Sequence, residues 1–324
     1  MGAAGPVKRA GITAVAMAVP ERRVSNEEIA AHLDVDADWI AKRTGTALRP
    51  WAVEGERLSD FAAQAATAAL DRAGVGAGEV DLVLVATSTA DEITPNAAPL
   101  VAGLIGAERA GAADLGSACT GWLAGLSLAC GHIESGRAGH AVIVGADFLS
   151  RFLDPSDRST TPLFADGAGA AVISAVSGPE AAIGPVLLRA DHAGADLIRL
   201  ERGQRIAMQG QETFKAAVLR LSEVTREALE AAGCELNDID LFVYHQANSR
   251  IIRSVGQRLG LDPERVVDYV GRFGNSSTAT LPIALSVAEA EGRLHRGDTV
   301  LLATFGGGFT WGATVARWGP ELAG

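Results

Sequence analysis

Four stretches of the chain are apolar without interruption: LVLVAT (82–87), AVIVGA (141–146), LFVYH (241–245) and VLLATF (300–305). A strand exposed on one face alternates apolar and polar residues, whereas continuous Val, Ile and Leu suit a strand covered on both faces. These stretches therefore predict doubly buried strands. ALDRAG (69–74) and ALEAAG (228–233) read as amphipathic helices closed by a glycine break. Near the start, GITAVAMAVP (11–20) predicts a first strand and a turn at Pro20, in preference to a signal peptide. Strands alternating with helices imply βαβ units and mixed sheets covered by helices.

The order of these elements recurs. ALDRAG leads into VDLVLVATSTAD (80–91), and ALEAAG leads into IDLFVYHQAN (239–248). ESGRAGHAVIVGAD (134–147) matches AEGRLHRGDTVLLATF (290–305), each a helix ending in Gly-Arg followed by an apolar strand. Two matched blocks in the same order, about half a chain apart, indicate an internal duplication. The halves are placed at 1–175 and 176–324. Two helix–sheet–helix halves that share central helices would stack as five layers, αβαβα.

Composition narrows the setting. A chain of 324 residues suits two domains or one large α/β unit, and 48% hydrophobic residues are ample for a buried core. The net charge of −11 argues for a soluble protein and against general nucleic-acid binding, which needs a basic face. No transmembrane span is visible, so no membrane partner is expected. Cys119, Cys130 and Cys234 form no close pair and no metal-ligand cluster, and their odd number suits a reducing, cytoplasmic setting. The six histidines are scattered, so no metal is expected.

Candidate chemistry begins at DLGSACTGW (114–122). Cys119 follows a predicted strand ending near Leu115 and precedes a helix rich in small residues, which puts it on a tight turn near a helix N-terminus. The positive end of the helix dipole is expected to lower the thiol pKa there and favour the nucleophilic thiolate. On this stretch alone a buried structural cysteine fits equally well. Cys130 and Cys234 read as core. His245 stands at a strand end whose counterpart in the first half, positions 86–87, carries no ionisable side chain. Asn275 lies on a turn into a helix in GRFGNSSTATLPIAL (271–285). FGGGFTWG (305–312) lacks the spacing of a dinucleotide or P-loop motif, and is expected to bring backbone N–H groups close to a reacting atom.

Taken together, SACTGW, HQAN, GNSST and FGGGFTWG resemble the nucleophile turn, the two other catalytic stretches and the C-terminal glycine loop of the ketoacyl synthase III enzymes of the thiolase superfamily. The resemblance runs from about Gly11 to Trp318. It implies a thiolase-like five-layered αβαβα fold with two duplicated halves, in agreement with the repeat. It also implies an acyltransferase that condenses in two stages. Cys119 takes a primer acyl group from acyl-coenzyme A, with the N–H groups of Cys119 and Gly307 as oxyanion hole. A malonyl thioester on acyl carrier protein then loses carbon dioxide, His245 Nε2 and Asn275 Nδ2 hold the enolate oxygen, and the carbanion attacks the acyl group. No cofactor is implied, because coenzyme A enters as substrate.

The same resemblance implies coenzyme A contacts at Trp39, Arg43 and Arg158, and a pantetheine channel at Gly210, Phe214 and Asn248. Arg250, Arg253 and Arg258, with no acid between them, are expected to dock the acidic carrier protein. Thr94, reaching over from the partner subunit of a homodimer, and Trp122 are expected to bound the primer pocket. Trp122 stands where the family usually has Phe, Thr120 where Ala is commoner, and Thr94 where a bulkier residue is frequent. A smaller Thr94 would admit a longer or branched primer. The pathway, fatty acid or polyketide, is left open. So are two rival readings: an acyltransferase of the same fold that does not decarboxylate, which usually lacks the Asn, and a non-catalytic partner subunit, which usually lacks the Cys.

Overall fold

The computed structural model describes residues 9–176, 182–320 and 322. β1 (Arg9–Ala18) is followed by a small flap of β2 (Arg23–Ser25), α1 (Asn26–Ala30), α2 (Ala37–Thr44) and β3 (Leu48–Pro50). Then come α3 (Leu58–Ala73), β4 (Leu82–Ala86), α4 (Ala97–Leu104), β5 (Gly111–Leu115), α5 (Gly121–Glu134), β6 (His140–Phe148) and β7 (Asp166–Val176). The second half runs β8 (Leu187–Ala190), β9 (Ile198–Arg199), β10 (Ala207–Met208), α6 (Gly210–Ala232), β11 (Leu241–Tyr244) and α7 (Ser249–Leu259). It closes with α8 (Val270–Phe273), α9 (Thr280–Ala290), β12 (Thr299–Gly306) and β13 (Thr310–Arg317). The four apolar stretches are β4, β6, β11 and β12, and the expected boundary at 175–176 falls on the end of β7.

The duplication is visible in the strand order. The first sheet is β1-β7-β6-β4-β5 and the second, read the same way, is β8-β13-β12-β11. β4 runs parallel to β6 as β11 does to β12, and β7 and β13 are each antiparallel to their neighbours. Where β5 flanks β4, the second half keeps only a parallel bridge between Phe242 and Val266.

Three apolar clusters make the layers. α3 and α4 bury Leu58, Ala62, Ala66 and Val101 on the outer face of the first sheet. α6 and α7 do the same for the second with Leu221, Val224, Ile252 and Val255. α5 and α9 fill the space between the sheets with Leu123, Leu126, Ile283 and Leu285. The sequence α–β–α–β–α is thus realised, and both halves share its middle layer.

Trp122 lies in that middle layer with no exposed surface. It faces the inter-sheet core and is absent from the walls of the catalytic cavity described below, contrary to the expectation that it bounds the primer pocket. The cause is helical phase: α5 begins at Gly121, and its second residue points between the sheets with Leu123 and Leu126.

Each half receives the start of the other's central helix. A Cβ on Gly145 of β6 would lie 2.3 Å from the carbonyl oxygen of Thr278, and one on Gly306 of β12 would lie 2.8 Å from the amide nitrogen of Cys119. Both obstacles are backbone, so a side chain forces the halves apart. Gly131, exposed within α5, meets nothing within 4 Å. Gly145→Ala should lower unfolding stability by at least about 2 kcal/mol, whereas Gly131→Ala should raise it by about 0.5–1 kcal/mol. Urea midpoints read both, and a neutral Gly145→Ala would contradict the packing described.

Candidate active site

The chain makes the same short turn before each central helix: 3-10 segments at Ala118–Thr120 and Ser277–Ala279. Ala118 (φ 43°) and Ser277 (φ 51°) open these turns and are the two non-glycine residues with positive φ among those described. The left-handed region costs a residue with a Cβ about 1–2 kcal/mol, and such strain persists where the surroundings over-determine it, commonly at reactive sites. The two turns meet: Ser277 Oγ donates to Cys119 Sγ at 3.5 Å. The backbone N–H groups of Cys119 and Gly307 also act on the sulfur, lowering its pKa.

Burial pushes the Cys119 thiol up to about 11. The Asp147 carboxylate adds to the rise, and the hydrogen bonds from Ser277, Cys119 and Gly307 oppose it without overcoming it. The expectation that the helix N-terminus would give a lowered pKa is therefore corrected. The donors are in place, but desolvation of a charged sulfur outweighs them. Cys119 is half-buried on the cavity wall, and the direction of its shift favours the neutral thiol at pH 7.

His245 follows β11, its N–H bonded to Ala303 O at 2.8 Å. It is 3% exposed, and burial lowers its pKa to about 3, so the imidazole is neutral throughout the physiological range. Nδ1 lies 2.6 Å from Thr280 Oγ1. Asn275 is 5% exposed, and its Oδ1 accepts the Ser277 N–H at 2.9 Å. This bond fixes which end of the amide faces the cavity: the Nδ2 donors are left for a ligand. Cys119, His245 and Asn275 all open onto one cavity of about 860 Å³.

The cavity has three chemically distinct parts. Its mouth carries Trp39, Arg43, Arg158, Lys215 and Arg250. Asp36 caps α2 by accepting the Trp39 N–H at 2.6 Å, and Arg43, one turn on, sits 5.6 Å from the Trp39 ring. Its waist runs along the start of α6 and α7, past Gly210, Thr213, Phe214 and Asn248. Asn248 donates to Arg43 O at 3.1 Å and caps α7 by accepting the Arg250 N–H, so it also ties α7 to α2. The third part is an apolar lobe of Leu149, Phe164, Ile198, Leu200, Ile206 and Met208.

Of the residues expected from sequence, Arg253 and Arg258 are exposed on α7 but do not line the cavity, whereas Arg250 does. Thr94 is exposed on the loop before α4 and lies outside the cavity of its own chain. Cys130 is buried as expected, while Cys234 is only half-buried. Sequence reasoning missed Lys215, Ser277, Thr280, the apolar lobe and Thr213. Ser277 and Thr280 lay in plain sight in GNSSTAT, but one Ser among several gives no sign of which hydroxyl meets the sulfur. The lobe comes from β6–β7 and the small β9–β10 hairpin, whose pairing is too short to show as a pattern. Thr213 Oγ1 is buried in the waist with no hydrogen-bond partner. Other helical hydroxyls, such as those of Thr44 and Thr225, bond the carbonyl four residues back.

Two sequence models described as 3-oxoacyl-[acyl-carrier-protein (ACP)] synthase III match residues 113–192, and, for its C-terminal part, residues 229–318. Beta-ketoacyl-[acyl-carrier-protein] synthase III of Rhodospirillum centenum is 43% identical over 93% of this chain and 96% of its own. The chain belongs to the 3-oxoacyl-[acyl-carrier-protein] synthase III family. The family's fold is also the one observed: the Aquifex aeolicus synthase III superposes with a TM-score of 0.93 at 36% identity, covering 95% of this chain and all (100%) of its own. A priming β-ketosynthase from the R1128 polyketide pathway superposes equally well (TM-score 0.93, 33% identity, 99% of each chain). The thiolase-like architecture and the synthase III family read from the sequence are thereby borne out.

The raised thiol pKa gives a direct test. Below its pKa the thiolate fraction rises tenfold per pH unit, so iodoacetamide should alkylate Cys119 at a rate that climbs about tenfold per unit from about pH 8 to about pH 10. A plateau below about pH 8 would show a thiol activated in the free protein.

Proposed function

We propose that this enzyme starts acyl chains: it loads a primer from acyl-coenzyme A onto Cys119 and condenses it with malonyl-acyl carrier protein to a 3-ketoacyl-carrier product. The observation that carries the reading is the convergence of a thiol, a neutral imidazole and an oriented amide at the end of a cavity with a cationic, aromatic mouth. In the first stage Cys119 sulfur bonds the primer carbonyl carbon, the carbon–sulfur bond to coenzyme A breaks, and the thiol proton leaves with the coenzyme A thiol. The Cys119 and Gly307 N–H groups are placed for the oxyanion. In the second stage the malonyl group loses carbon dioxide, and its thioester oxygen takes the negative charge between His245 Nε2 and Asn275 Nδ2. The carbanion attacks the acyl carbon, Cys119 leaves as a thiolate, and a solvent proton restores the thiol. A neutral His and an Asn donate hydrogen bonds without protonating the carbanion, which suits this step.

Trp39 with Arg43 and Arg158 supplies a ring and charges for the coenzyme A head group, and the waist supplies the pantetheine path. Arg250, at the mouth and 5.3 Å from the Phe214 ring, favours carrier-protein docking there, with Arg253 and Arg258 extending the basic face along α7. The apolar lobe replaces Trp122 as the seat of the primer chain. A homodimer is supported by the open edge of β5 and by exposed Ile93 (76%) and Leu104 (57%) beside it. Asp114 of β5 accepts the N–H groups of Ala97 and Ala98, which tethers the Thr94 loop to that edge and within reach of a partner. No cofactor enters this scheme, and a cytoplasmic setting fits the free thiols.

Purified protein supplied with a short acyl-coenzyme A and malonyl-carrier protein should release carbon dioxide and form a ketoacyl product. No product with any short primer would overturn the proposal. Asn275→Ala should cut condensation by about a hundred- to thousandfold while acyl loading of Cys119 persists, measured by intact mass. Equal loss of both stages would show that Asn275 does not act by holding the enolate.

A further inference from the structure

Thr280 does not line the cavity, yet its hydroxyl decides what His245 offers there. That hydroxyl has one proton and two neighbours, His245 Nδ1 at 2.6 Å and Ser277 O at 3.0 Å. If the proton went to Ser277 O, Nδ1–H would donate to Thr280 at 2.6 Å, which is shorter than the usual N–H···O range, and the O–H···O contact at 3.0 Å would be longer than its usual value. If it goes to Nδ1, the short contact belongs to the hydroxyl donor. Ser277 O is meanwhile satisfied, because it already accepts the backbone N–H of Thr280. A neutral imidazole whose Nδ1 accepts must carry its proton on Nε2.

Building on the condensing reading above, we infer that Thr280 is a positioning residue that holds His245 in the Nε2–H tautomer, making it a hydrogen-bond donor to the extender thioester rather than a base for Cys119. The two stages of the reaction then depend on Thr280 unequally. Decarboxylation needs the Nε2–H donor; acylation of Cys119 does not.

Imidazole ¹⁵N spectra of the histidine-labelled protein read the tautomer without any turnover. Wild type should show Nε2–H for His245, and an Nδ1–H signal would overturn the assignment. Thr280→Val should lose the fixed tautomer and slow malonyl decarboxylation by at least about tenfold, short of the hundred- to thousandfold of deleting a donor outright. Acyl loading should fall far less, and Thr280→Ser should restore the wild-type ratio of the two rates. A Thr280→Val enzyme that decarboxylates at the wild-type rate, or loses both stages equally with Thr280→Ser no better, refutes the role. If the wild type neither loads nor decarboxylates, the condensing proposal fails, and the spectra still judge the tautomer.

Discussion

Asp147 has no exposed surface, and burial raises its pKa against a set of hydrogen bonds that favour the carboxylate. Oδ1 accepts from the Ser88 N–H at 2.8 Å and from the hydroxyls of Thr89 at 3.0 Å and Thr87 at 3.3 Å. Oδ2 accepts the Thr278 hydroxyl at 3.0 Å and N–H at 3.3 Å. A buried charge without partners costs several kcal/mol, so this site holds a carboxylate only while the whole donor set is assembled. The donors come from the loop after β4 in one half and from the turn before α9 in the other. The half-to-half register is therefore set directly beneath the reacting groups. Ser277, one residue before Thr278, is the group that orients Asn275 and touches the Cys119 sulfur.

Burial also sets the electrostatics of the reacting groups. Desolvation raises the Cys119 thiol and lowers His245, so both rest uncharged. What the site offers in advance is a set of fixed dipoles: the Ser277 hydroxyl on the sulfur, an oriented amide and an imidazole held by a hydroxyl. Donors already held in place cost little reorganisation when charge develops. In the proposed reaction their effect would be felt by the oxyanion and the enolate, whose charges arise only during reaction, rather than by a standing thiolate. A thiol that stays protonated until substrate arrives is also spared oxidation and alkylation.

Much of this was legible in the chain. The continuous apolar strands, the repeated blocks and the glycine helix stops each fix a local choice that the fold keeps, because burial on both faces leaves no other periodicity. Cys119, His245 and Asn275, which line one cavity, were singled out only by the family resemblance of four short motifs, because each alone also reads as a structural residue. The errors share one cause: a side chain's direction and its solvation are properties of packing. Trp122 follows the nucleophile turn in sequence yet points between the sheets, and Cys119 sits at a helix start yet is governed by burial. The positive φ shared by Ala118 and Ser277, which marks the pseudo-symmetry of the two turns, has no signature in residue type. Nor does the apolar lobe, assembled from strand ends and a two-residue hairpin.

The proposed mechanism depends on Cys119 as the acyl-carrying group. Incubation with an equal mixture of acyl-coenzyme A thioesters, followed by peptide mass mapping, tests this most directly. The mechanism predicts an acyl adduct on the Cys119 peptide alone, of a chain length that fits the lobe of Leu149, Phe164, Ile198 and Ile206. An adduct on Cys130 or Cys234, or turnover with Cys119 never acylated, would contradict it.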